Sequence, residues 1–212
     1  MKDLISSLAV AVLRLDEKLS TLRHLDGLPL LMIRLYLVPV FWMAGTSKLL
    51  HFEDTVAWFG STDAGLGLPF PELMATLATG TEIMGAGLLL LGLGVRWISM
   101  PLLVTMIVAA ITVHAENGWQ AIADTGAPFA NERVMASVEK LARVRDILHE
   151  HGDYAWLTSS GPVVILNNGI EFAATYALML GVLMASGGGR YVSLDWLLAC
   201  RLRRLGRFSP RG

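Results

Sequence analysis

Residues 28–47 read LPLLMIRLYLVPVFWMAGTS, an apolar run whose only charge is Arg34. A bilayer core about 30 Å thick is crossed by about 20 apolar residues in a helix, so the run has the length of one membrane span. Three more stretches have that character, at residues 71–93, 97–114 and 162–185. Two of these enclose a carboxylate well away from their ends, Glu82 and Glu171. A lone ionisable group at mid-depth costs about 2.5–3.5 kcal/mol on the insertion scale, so Arg34, Glu82 and Glu171 are expected to face the protein interior. The expected fold is all-α: a polytopic membrane four-helix bundle, with an extra outer amphipathic helix and amphipathic N- and C-terminal helices at the inner interface.

Composition points the same way. The chain has 212 residues, 54% of them hydrophobic and only 17% charged, against about 25% charged in soluble domains. That leaves room for one membrane domain at 28–185, with an outer insertion at 115–161. Residues 1–27 form an N-terminal arm and 186–212 a basic C-terminal segment. The single cysteine, Cys200, rules out an intramolecular disulfide and a self-contained dithiol relay. No phosphate loop, nucleophile elbow or nucleic-acid signature is present, so no nucleic-acid partner is expected.

The arm does not resemble a cleavable signal, because charges interrupt its apolar run and no small-residue cleavage site follows. Leu4, Leu8, Val12, Leu15, Leu19 and Leu22 recur at helical spacing, the pattern of a helix lying on a membrane or on neighbouring protein. Basic residues set the orientation. Lys2, Arg14, Lys18 and Arg23 precede the first span, Arg96 follows the second, and six arginines follow the fourth. The 115–161 loop holds four bases against seven acids. Basic loops stay inside, so both termini are expected in the cytoplasm, with the protein multi-pass in a bacterial inner membrane. Residues 191–205 with Trp196 form a basic amphipathic segment suited to anionic headgroups. Asn131 caps a predicted loop helix running to about His151, placed as a lid over the bundle mouth.

At 1.5 Å per residue, Arg34 and Glu82 fall within a few ångströms in depth and are expected to pair as a structural lock on helix register. Glu171 is placed about 13 Å below the outer end of the fourth span, with Asn167 and Asn168 a turn above it. Lys48 reaches toward it, and His114 completes an outward-opening polar ring. Lys48, His114, Asn168 and Glu171 form the candidate ligand-binding set. No catalytic residue is assignable. His51, His114, His149 and His151 lack the spacing that sets two metal ligands on one helix face, so no metal site is expected.

The run from Arg34 through Phe41, Gly45 and Lys48 resembles the DoxX family of small four-span bacterial membrane proteins. So do Glu82-x-x-Gly85-Ala-Gly87 and the closing Gly187-Gly-Gly-Arg190-Tyr-Val-Ser-Leu-Asp195. The resemblance covers about 28–114 and 160–197, and Arg34, Lys48, Glu82, Arg190 and Asp195 match the family's polar pattern. The long outer loop is similar to that of a branch found beside metal-stress gene clusters. The resemblance implies an accessory in periplasmic redox, oxidative-stress or metal homeostasis, with a quinone as the implied cofactor and a periplasmic or membrane protein as partner. At most it would be a quinone-linked oxidoreductase subunit. A non-enzymatic scaffold or chaperone that docks its partner through the outer loop is the alternative.

Overall fold

The structure, a computed structural model, describes residues 25–205. The expected N-terminal amphipathic helix lies outside the described residues. The chain is helical: α1 Gly27–Leu50, α2 Phe52–Gly60, α3 Pro71–Leu91, α4 Val95–Ala109, α5 Glu132–Met135, α6 Ser137–His151, α7 Tyr154–Leu157, α8 Glu171–Ser186 and α9 Leu194–Arg204. Among the described residues there is no strand, only an isolated antiparallel bridge between Ile122 and Leu166. The α4 helix continues through a wider π turn, Ala110–His114, and a tight 3-10 turn, Ala115–Asn117.

Three of these helices are long and apolar enough to cross a membrane: Gly27–Leu50, Pro71–Leu91 and Val95–Asn117. Each lies within a few residues of its expected stretch. The fourth does not. Apolar composition runs from residue 162, but the helix begins at Glu171 and has 16 residues, about 24 Å of rise. Three features delay it. Pro162 brings no N–H, the two asparagines offer the backbone rival hydrogen bonds, and Gly169 is a poor helix former. Asn168 takes a positive φ of 59°. Residues 165–171 instead run against 118–123, with Ala123 N donating to Ile165 O, Asn167 N to Ala121 O and Gly169 N to Gln120 O. The predicted loop helix is likewise divided, since Ala136 separates α5 from α6. Asn131 does cap its start, the side chain accepting from Val134 N at 3.0 Å.

The chain forms two compact units. One comprises described residues 25–52, 76–100 and 181–205; the other comprises 53–75 and 101–180. The first buries charge and exposes large apolar side chains, unlike a water-soluble fold. Along α1 the buried positions are Arg34, Leu37, Phe41 and Gly45, while Met32, Trp42, Met43 and Leu50 are exposed. Along α3 the buried stripe is Thr79, Glu82, Ala86 and Leu89. Both stripes follow the helical repeat: the charged groups Arg34 and Glu82 are inside among apolar residues, while many large apolar side chains face outward, as a lipid solvent permits. The second unit buries Phe59, Val134, Ala173 and Leu180 around Gln120, Ser137 and Asn167.

Candidate functional site

Arg34 is fully buried, at 0% exposure, and its guanidinium is spent on backbone. Nε donates to Leu89 O at 2.8 Å, one terminal nitrogen to Gly188 O at 3.0 Å and Tyr191 O at 3.5 Å, and the other to Leu90 O at 3.1 Å and Val192 O at 3.0 Å. The fork's five donors thus meet five carbonyls. Two of these belong to the last turn of α3, where the helix dipole leaves partial negative charge. That turn closes as a Schellman motif, Gly92 N donating to Leu89 O and Leu93 N to Leu88 O, with Gly92 at φ +63°. A Cβ at Gly92 would stand 2.5 Å from an Arg34 terminal nitrogen, so glycine both permits the turn and leaves room for the cation.

The reciprocal charge is Asp195. Its two carboxylate oxygens accept from Gly94 N at 2.8 Å and Val95 N at 3.0 Å, capping the start of α4. Its own N–H donates to Gly92 O at 3.0 Å, and Ser193 Oγ donates to the same carbonyl at 3.1 Å. A cation therefore closes α3 and an anion opens α4, each matched to the dipole end it faces. Arg190 pairs with Asp26 at 2.8 Å nearby.

Glu82 pairs with Lys48, correcting the expected Arg34–Glu82 lock. Nζ donates to both carboxylate oxygens, at 2.9 and 2.7 Å. The contacts at 34/89, 45/83 and 48/82 show that α1 and α3 run antiparallel. Helical side chains lean toward their own N-terminus. Lys48 and Glu82 therefore lean toward each other, while Arg34 and Glu82 lean apart. Depth alone missed this sign. Gly45 brings the helices together here, since a Cβ on it would lie 2.7 Å from Ile83 Cγ1 and 3.1 Å from Glu82 Cβ. The Glu82 side chain is 5% exposed and that of Lys48 27%. One turn before Glu82, on the same face, Thr79 is 4% exposed and its Oγ1 has no partner among the described residues. Sequence reading passed over Thr79, although its i, i+3 spacing from Glu82 was the available signal.

The other three candidate residues lie in the second unit. His114 Nδ1 is 2.9 Å from Asn168 O, which Asn117 Nδ2 also reaches at 3.1 Å. A carbonyl only accepts, so Nδ1 carries the proton in that contact. Glu171 opens α8 rather than lying in mid-span, and its Oε2 accepts from Ala121 N at 2.9 Å. Asn167 donates to Asn117 O and Gln120 O, both at 2.8 Å, and accepts from Arg133 Nε at 3.1 Å. His114 and Asn168 are thus in contact, Glu171 caps a loop amide, and Lys48 is held by Glu82. Among the described residues, no group of three or more His, Cys, Asp or Glu is placed to hold a metal ion.

Residues 29–115 match the family model described as DoxX. No curated protein and no solved structure matches the chain. The matched stretch contains Arg34, Lys48, Thr79, Glu82 and His114, so the charges buried in the first two spans fall inside the match. Arg190 and Asp195 lie beyond it, yet they belong to the same unit as α1 and most of α3.

Proposed function

We propose that this DoxX-domain protein is an inner-membrane accessory in periplasmic redox or metal-stress handling. On this reading it holds the polar head of a quinone or similar amphiphile at Lys48, Glu82 and Thr79. One observation carries the reading: a charged pair within membrane-length helices, a turn away from a buried hydroxyl that lacks a partner. Buried polar groups are nearly always satisfied, and an orphan calls for an explanation. Two Lys48 protons serve Glu82, leaving a third for a ligand carbonyl, and the Thr79 hydroxyl offers a second donor. Glu82 keeps Lys48 in place and is the group through which a proton can pass to or from the site. A bound quinone would supply a two-electron, two-proton couple, with electrons delivered by a partner protein.

Titration of the purified protein with a short-chain benzoquinone tests this. T79V preserves shape and removes the hydroxyl, and it should weaken binding about tenfold, the worth of one hydrogen bond at about 1.4 kcal/mol. K48M should weaken it at least as much. H114A and E171Q report on the wider ring expected from the sequence, and a loss confined to those two would relocate the site. Unchanged affinity in both T79V and K48M would overturn the reading.

A second reading, a scaffold that docks a periplasmic partner, draws on exposed Val138, Val144 and Ile147 of α6. Changing all three to serine should abolish co-purification of that partner and leave quinone binding intact.

A further inference from the structure

We infer that α9 is a binding surface for anionic lipid, seated on the membrane face where α3 meets α4. The argument begins with its anchorage. Helix α3 and the run Val95–Asn117 that continues α4 are both of membrane length, so the Gly92–Gly94 turn joining them lies at a bilayer surface. The first turn of α9 is fastened to that turn three times: Asp195 N to Gly92 O, and the Asp195 carboxylate to Gly94 N and Val95 N. The level of α9 is therefore fixed at the interface. With 11 residues it rises about 16 Å, too little to cross.

The exposed chemistry fits that level. Leu194, Leu197, Leu198, Leu202 and Leu205 are large, apolar and exposed. Their i, i+3, i+4 spacing gathers them on one side of the helix. Arg201, Arg203 and Arg204 are exposed on the same helix, Arg201 among the leucines, Arg204 at their edge and Arg203 on the opposite side. The only acid of α9, Asp195, is already committed to the start of α4, so the free charge of the helix is wholly positive. Trp97 and Trp196, both exposed, lie within two residues of Val95 and Asp195, which the cap joins, a level where indole rings favour the headgroup layer. Leucines that dip toward acyl chains, with arginines reaching up to phosphate, match an anionic leaflet. A protein partner would need an acidic surface at the same depth. Each arginine near such a leaflet contributes roughly a fivefold preference.

Cys200 is the chain's single cysteine and lies on α9, so a spin label there reports on this helix alone. The full chain is placed in nanodiscs of phosphatidylcholine, or of phosphatidylcholine with one-third phosphatidylglycerol, and oxygen and nickel-chelate accessibilities are compared. The anionic discs should slow the label and raise its oxygen-to-nickel ratio several-fold. R201Q/R203Q/R204Q should erase the difference, with helical content by circular dichroism unchanged. Equal ratios in the two wild-type discs overturn the inference without recourse to any variant. It is equally overturned if the triple variant keeps the full difference, or if free inorganic phosphate in phosphatidylcholine discs reproduces it.

Discussion

At the scale of single residues, the first unit is governed by which way a side chain leans. Arg34 was legible as an inward cation, but its partners were not, because backbone carbonyls leave no mark in a sequence. Its value lies in the fork, and lysine cannot copy it. R34K offers three donors to five carbonyls, and since Leu89 O keeps its bond from Gly92 N, at least one is left unserved; it should cost about 1–3 kcal/mol. Denaturation of the purified protein in detergent measures that loss directly, and an R34K protein as stable as wild type would show that the carbonyls find other donors. The same logic explains Glu171. Composition carried its helix nine residues too far toward the N-terminus, because a count of apolar residues does not register the asparagine pair and Gly169. Those residues turn a mid-span acid into an end-of-helix cap.

Between elements, glycine decides how closely α1 and α3 pack. Small residues let membrane helices approach, and that approach sets the short Lys48–Glu82 bonds. The twenty-one glycines looked alike on paper, yet they divide sharply in space. A Cβ at Gly45 would strike Ile83 and Glu82, whereas a Cβ at Gly87 meets nothing within 4 Å. G45A should therefore lose about 1–3 kcal/mol through overpacking, while G87A stays neutral or gains slightly from the better helix former. Thermal midpoints of the two variants, measured side by side, test the claim; equal shifts would refute it. Span positions for the first three helices were readable because twenty-residue apolar runs have few other uses. Breaks within the loop helix and the fourth apolar stretch were set by local competition for hydrogen bonds, which periodicity does not capture.

For the whole chain, the distribution of arginine sets the orientation we propose. Arg96, Arg190, Arg201, Arg203 and Arg204 belong to the same unit as the α3–α4 turn, and basic ends stay in the cytoplasm. Alkaline phosphatase joined after residue 205 should be inactive, and the same enzyme inserted at residue 63 should be active. The reverse pattern would invert every inside and outside assignment made for this protein. The Arg34 clamp also bears on how the chain is made. Its carbonyl partner Gly188 lies 154 residues further along, and bacterial ribosomes add about 5–20 residues per second. The Leu89 and Leu90 carbonyls, 55 and 56 residues along, can arrive after roughly 3–11 s, but the clamp stays incomplete for roughly 8–30 s, its remaining donors shielded only by headgroups, water or the insertion machinery. Biogenesis, rather than the finished fold, is then the stage at which this cation is most exposed to quality-control proteolysis.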